Sequence, residues 1–445
     1  MDELHAMCAA GLKRVIQEKR IGVEELTRSY LRQIEQYDIA GGLNTIAQLN
    51  PAVLDQARQQ DAGFVDRNLP LFGLPILVKD NIDVAGLRTT AGSLALNDNV
   101  ALTDAPVIAN LRRSGALILG KTNMTEFANY TARNMPNGYS SRGGKVRSAY
   151  NRSKDPGGSS TGSAVAVSAG FCAAAIGTDT LFSILGCAVE NGVVGLKPPH
   201  KALSAEGIVP IAHTLDSAGP LTRTFLDALL VYAGMRGVAF QETTPTPPSE
   251  LRIAVNIFDR DQVSQAQLAY YEALFHRLRA AGAEFSEIIQ PSVPYLGDIM
   301  RCEFRHDLED YLAQSTASLK TLEDIIRFYE SNPKRMMQYG ISSLKSALIG
   351  ATGQLDDAAY LKAMTERERI RSRVFNELSQ YDACIMTGPT NIMHFVGLPC
   401  LALKLCMASD NTPRGVILYG ADENKLYMAA LAIENYCLQV LPPEL

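Results

Sequence analysis

The run "TGSAVAVSAGFCAAAIGT", Thr161–Thr178, has no charged side chain and hardly a bulky one. Backbone carrying side chains this small can approach its neighbours closely, and its place is inside a fold. A membrane-spanning helix of about 20 residues would draw on Leu, Ile and Phe. This run holds one Phe, one Ile and no Leu. We therefore read it as a buried helix packed closely against sheet. Directly ahead of it stands "DPGGSS", in which two glycines and two serines crowd onto flexible backbone. What those hydroxyls are for depends on the rest of the chain.

Apolar runs and helical periodicity alternate along that chain. Glu3–Tyr37 has helical spacing, with Val23, Leu26, Tyr30, Leu31 and Ile34 on one face, and a second helix covers "PAVLDQARQQDAGF". A short apolar strand, Pro75–Val78, ends abruptly in Lys-Asp-Asn. "DAPVIANLRRSGALILGKTNMTEFA" reads as helix, glycine turn, strand (Ala116–Leu119) and a loop into another helix. "NGVVGLKPPH" is a further buried strand, and "RIAVNIF" is another after the Pro/Thr-rich surface crossing "ETTPTPPSE". "QAQLAYYEALFHRLRAAGAEFSEII" is helix, glycine stop and strand, and Asp298–Leu378 is largely helical and charged. "YDACIMTG", "PCLALKLC" and "RGVILYG" return to strand before a closing helix from Glu423. Such alternation is the α/β signature. With 445 residues, 47% of them hydrophobic, the chain can bury a large core, and length alone suggests two or three domains.

Composition excludes several functions. Charged residues make up 20%, the net charge is −5, and no basic run stands out, which argues against nucleic acid as a partner. The opening "MDELHAMCAAGLKRVIQEKR" is charged throughout and does not read as a secretory signal. Eight cysteines without CxxC spacing read as reduced core thiols of a cytoplasmic protein. Six dispersed histidines without HExxH imply no metal.

The serine stretch has four possible uses. A flexible linker would lead nowhere in particular, whereas this one runs into an apolar helix. A phosphate loop wants a lysine beside its Ser/Thr, and Gly157–Ser163 has none. Gly158–Gly162 formally matches G-x-S-x-G with Ser160 as nucleophile, but a polar loop, not a strand, precedes it. None of His200, His213, His276, His306 or His394 stands in a special context to serve it. The fourth use needs a lysine base, neutral near pH 7 through burial. Lys79 is the best candidate because it follows "LPILV" at a strand's end, although a lysine there more commonly points to solvent.

"GLPILVKDNIDVAGLRTTAGS", "GALILGKTNMTEFA", "PGGSSTGSAVAVSAG", "GTDT" and "VVGLKP" stand in the order and spacing of the amidase signature family. The chain resembles that family densely over Leu71–Thr224, and more faintly through "YDACIMTGPT", "GLPCLAL" and "RGVILYG". The resemblance implies one compact α/β domain over residues 1–445, with a central mixed sheet flanked by helices on both sides. Its catalytic core would span about 60–235, and a variable, largely helical substrate-side region about 298–378. It implies hydrolysis of a carboxylic amide by a Ser–Ser–Lys triad through an acyl-enzyme, without cofactor, releasing a carboxylate and ammonia or an amine. Matched position by position, the base is Lys79, the bridging serine Ser159 and the nucleophile Ser183. The Gly158–Ser159 peptide bond would be cis. The oxyanion would be met by backbone N–H groups of Thr180, Leu181 and Phe182, with Ser183, and substrate would approach Phe127 and Ala128. Ser160 and Ser163 would support the network or cap the helix, and Asn123 and Glu126 would be structural.

The pattern breaks around the nucleophile. The family's Gly-Gly-Ser-Ile-Arg is here Leu181-Phe182-Ser183-Ile184-Leu185. Leucine or phenylalanine would be strained there if either position needs φ > 0. Leu185 replaces an arginine able to pair with Asp179 or bind an acidic substrate, a role left to Arg142, Lys145 or Arg147. Cys187 stands where proline is common, and "ENG" replaces "FCG". The short connection from Thr390 to Gly397 implies a pocket that is more open, or completed by another subunit. Three outcomes fit: an active amidase acting on a small amide, a catalytically impaired chain kept for binding or within a complex, and an amidotransferase subunit. The default assembly is a homodimer.

Overall fold

The apolar runs pair into one mixed sheet in the computed structural model, which describes residues 3–241 and 243–445. In chain order the strands are β1 (Ile46–Leu49), β2 (Pro75–Lys79), β3 (Leu117–Thr122), β4 (Tyr139–Ser140), β5 (Gly144–Lys145), β6 (Ala174–Asp179) and β7 (Val194–Lys197). Then follow β8 (Ser217–Thr222), β9 (Arg252–Asn256), β10 (Glu284–Ile288), β11 (Ala383–Met386), β12 (Cys400–Met407) and β13 (Pro413–Tyr419). β4 and β5 form a separate small hairpin. The others make an 11-stranded sheet in the order β1-β3-β2-β6-β8-β7-β12-β13-β11-β9-β10.

β2 lies parallel to both β3 and β6, and all three are buried along their whole length. Parallel strands of this kind are covered on both faces, which accounts for their unbroken apolar runs. β6, β8, β7, β12, β13 and β11 continue antiparallel to one another, and β9 and β10 close the far edge in parallel. The helical stretch read from the sequence resolves into Leu296–Gln314, Leu322–Ser331, Pro333–Met336, Ser342–Gly350 and Ala358–Leu378. No helix of the described residues is long and apolar enough to cross a membrane.

The small-residue run is not one helix. The helix spans only Thr161–Ser168, and the chain turns at Gly170 (φ +74) before "AAIGTD" becomes β6. Alanine favours helix, but here the slot between β2 and β8 decides, a tertiary override of propensity. β8 also escaped the sequence reading because "SAGPLT" puts Gly219 and Pro220 inside a central strand. Gly219 is required there: a Cβ would come within 1.9 Å of the Leu196 carbonyl oxygen.

All eight residues of the Thr161–Ser168 helix are buried. Its hydroxyls tie it to β6: Ser163 Oγ donates to the Ile176 carbonyl at 3.0 Å and Ser160 Oγ to that of Thr178 at 2.9 Å. Gly162 lets the helix lie directly on the chain beside β1 and β3. A Cβ there would stand 2.3 Å from the Asn123 carbonyl oxygen and 2.7 Å from that of Thr45. Backbone cannot yield as a side chain can, so Gly162→Ala is expected to destabilise the fold by about 2 kcal/mol or more, read as a lowered midpoint in chemical denaturation.

Candidate active site

Lys79 ends β2 where Val78 pairs with Ile176 of β6, and this register carries its side chain inward alongside Thr178. It is fully buried. Its Nζ lies 2.8 Å from Ser159 Oγ and 2.8 Å from Thr178 Oγ1, and 3.2 Å from the Thr178 carbonyl oxygen. Ser159 Oγ in turn stands 3.1 Å from Ser183 Oγ, and either hydroxyl can be the donor. The three side chains stand in series, Lys79 to Ser159 to Ser183. The Gly158–Ser159 peptide bond is cis. Gly158 fits because a Cβ would meet Asn137 Oδ1 at 2.4 Å and Thr125 Oγ1 at 2.8 Å.

Burial pulls the Lys79 amine down to about 7, with Cys187, Asp179 and Asp216 acting in the opposite direction. The Cys187 thiol is itself pushed up to about 12 by burial and is uncharged at neutral pH, so the opposing charges there are carboxylates. Near neutrality a large share of the amine is therefore unprotonated and free to accept a proton.

β6 ends at Asp179 and the chain turns through Thr180–Ile184 before the helix Leu185–Glu190. Phe182 holds φ +62, which costs an L side chain on the order of 1–3 kcal/mol. Of the two residues in place of glycines, it is the one in the left-handed region. Asp179 Oδ2 accepts from the N–H groups of Ile184 (2.7 Å) and Leu185 (3.1 Å). Thr180 Oγ1 donates to Asp216, whose carboxyl burial pushes up to about 6 against hydrogen bonds from Thr180, Ile211 and Ala212. No described residue accepts from the N–H groups of Thr180, Leu181, Phe182 or Ser183. Phe127 and Ala128 also hold positive φ, at 45° and 53°, and Ala128 faces the neighbouring cavity.

That cavity, about 350 Å³, reaches Asn81, Thr178 and Thr180, so it touches the hydrogen-bond partners of Lys79. Ser183 is not in its lining and is 5% exposed. Its charged lining is mainly acidic: Asp83, Asp104, Glu206, Asp216, Asp307 and Asp310, with His213, paired to Asp307, as a basic member and no Lys or Arg among the described residues. Arg142, Lys145 and Arg147, the cations expected to substitute for Leu185, lie outside it, and Arg142 is engaged with Asn97. The segment from Thr390 to Gly397 is not in the lining of this cavity. Its helix, Ile392–Val396, is wholly buried and sets His394 against Phe182.

The sequence model of the family described as Amidase matches residues 25–395. The chain belongs to the amidase family. It is 29% identical to a probable amidase of Arabidopsis thaliana over 96% of this chain and 89% of that protein. It is 30% identical to a glutamyl-tRNA(Gln) amidotransferase subunit from Exiguobacterium sibiricum over 95% of this chain and 96% of the relative. The peptide amidase from Stenotrophomonas maltophilia superposes with a TM-score of 0.90 at 30% identity, covering 98% of each chain. An amidase-type hydrolase is therefore the coarse assignment.

Several groups in this amidase were not singled out as site residues from sequence. Thr178, the second partner of Lys79, and Asp179, which anchors the turn, both stand in the quoted "GTDT" and carried a signal; Asp216 stands in "TLDSAGPLTRT", inside the dense part of the resemblance, and His394 carried none. Ser160 and Ser163 bond to β6, and Glu126 accepts from Ser141 N (2.8 Å) and Oγ (2.6 Å) and from the Tyr329 hydroxyl. Asn123 Nδ2 donates to the carbonyls of Asn44 and Ile46. Among the described residues His213, Glu303 and Asp307 offer potential metal-ligand atoms within 4.8 Å of one another. Glu303 is already occupied by Thr214 and Tyr360, and Asp307 by His213, so the trio reads as an ion-pair cluster.

The Lys79 amine loses its proton as pH rises through about 7, so Ser183 is expected to react faster with a small fluorophosphonate across that range and to plateau above it. Peptide mass spectrometry locates the label, and Lys79→Met should remove the rise.

Proposed function

We propose that this chain hydrolyses a carboxylic amide through an acyl-enzyme, with Ser183 as nucleophile, Ser159 as proton relay and Lys79 as base. The observation that carries this reading is the unbroken series of hydrogen bonds from Lys79 to Ser183, ending on an amine held near neutrality. Ser159 passes its proton to Lys79 Nζ while taking one from Ser183, whose oxygen attacks the amide carbon. The carbonyl oxygen becomes an oxyanion beside the N–H groups of Thr180, Leu181, Phe182 and Ser183. Each such donor is worth roughly 2.7–4 kcal/mol in comparable hydrolases. The proton returns through Ser159 to the leaving nitrogen, the C–N bond breaks, and water then releases the acid from Ser183.

The cavity beside Phe127 and Ala128 receives the substrate. Its acidic lining and Leu185 favour an uncharged or cationic molecule over an anionic one. A chain retained only for binding is the competing reading, favoured by the bulk of Phe182 and by the low exposure of Ser183. An amidotransferase role would need glutamine recognition and companion chains, for which the altered turn offers no support.

Ser183→Ala and Lys79→Ala are each expected to lower kcat/KM for a linear amide by about 10³-fold or more, with circular dichroism unchanged. A binder hydrolyses nothing in any form, and loss in Ser160→Ala alone would move the nucleophile to Ser160. Among matched amides, those with a carboxylate in the side chain are expected to react slowest, and added salt should narrow the gap.

A further inference from the structure

Asp179 holds the turn after β6 with one carboxylate oxygen. Its other oxygen, Oδ1, has no hydrogen-bond partner among the described residues and faces His394 Nδ1 at 3.4 Å, just beyond an ordinary N–H···O bond. Both side chains are fully buried, and neither ring nitrogen of His394 has a hydrogen-bond partner among the described residues. The same imidazole meets the Phe182 ring at 76°, with centroids 4.5 Å apart, a favourable edge-to-face geometry. His394 thus touches the turn at two points ahead of Ser183: at Phe182, the residue with φ +62, and at the Asp179 carboxylate, which is bonded to Ile184 and Leu185 beyond it.

The segment carrying His394 is itself fixed. Its helix stops at Gly397 (φ +76), and the buried Arg367 guanidinium donates to the carbonyls of Phe395 and Thr214. Burial pushes the imidazole down to about 4, with Asp179 opposing and the buried Lys197 adding to the shift. At neutral pH the ring is uncharged and can offer one N–H to Asp179.

We propose that His394 is the positioning residue of the oxyanion turn, keeping Phe182 in its left-handed conformation and Asp179 in place so that the N–H groups from Thr180 to Ser183 stay free for the reacting oxygen. This rests on the hydrolytic reading above. A glycine at position 182 would hold φ > 0 unaided, so in that background the dependence on His394 should shrink to what the Asp179 contact contributes.

The test is a double-mutant cycle with His394→Ala, Phe182→Gly and the pair, reading kcat and KM on a linear amide and the rate of fluorophosphonate labelling at Ser183, alongside thermal melts. His394→Ala is expected to lower kcat about tenfold or more with KM nearly unchanged, and to slow labelling in parallel. Its effect should shrink to within about threefold in the Phe182→Gly background. His394→Phe, which keeps a ring against Phe182, should recover part of the loss and serves if His394→Ala does not fold. Effects that multiply independently, or a loss confined to KM or tracking only the melting temperature, would overturn the positioning role. A parent protein that neither hydrolyses amides nor takes label at Ser183 would overturn the hydrolytic reading itself and this role with it, an outcome visible without any His394 variant.

Discussion

A lysine amine buried at the end of a central strand sets the terms for the rest of this molecule. In water that amine would be charged up to 10.5, whereas inside the sheet it is held near 7. At pH 7 this difference costs the folded state roughly 4 kcal/mol. The folded-state value is the lower one, so the cost is absent above 10.5 and grows as pH falls toward 7. The hydroxyls of Ser159 and Thr178 are therefore structural partners of Lys79 as well as candidate chemistry, since a buried nitrogen without partners would cost more. The same burial makes the amine a base.

Close backbone approach brings Ser159 to that nitrogen and Ser183 to Ser159. Ser159 is the second residue before the Thr161–Ser168 helix, and Ser183 follows β6, so their separation depends on how tightly that helix lies on the strand. Gly162 and Gly177 remove the side chains that would hold helix and strand apart, the latter because a Cβ would stand 2.7 Å from Ser160 Oγ. Ser160 and Ser163 then bond across the contact. The run of small residues is best understood as a requirement of distance: it lets Ser159 Oγ reach Ser183 Oγ at 3.1 Å.

The turn that carries Ser183 departs from the glycine-rich form its family suggests, and the surroundings answer that departure. Phe182 occupies a conformation suited to glycine, with His394 packed on its ring and Asp179 bonded to the amides that follow. The cavity beside it is acidic on its charged lining, consistent with the loss of a cation at position 185. The first feature concerns the conformation of the turn that carries Ser183, the second the charge presented to an incoming molecule.

Much of this was readable from residue order alone. Periodicity located most strands and helices, and the motif order pointed to Lys79, Ser159 and Ser183, because motifs encode local spacing and residue chemistry. Three things were not legible. β6 and β8 looked unlike strands, since alanine, glycine and proline become strand only where neighbouring strands demand it. Asp216 lies 36 residues beyond Thr180 and His394 far beyond Phe182, and a lone histidine in "NIMHFV" carries no signal of the ring it packs against. The left-handed residue could not be chosen between Leu181 and Phe182 until the turn was built. Local pattern was enough for the α/β class, the family and the side chains able to do chemistry. The desolvation of Lys79, the groups that support the turn and the charge of the cavity came from folding, because burial and long-range contact exist only once the chain has folded.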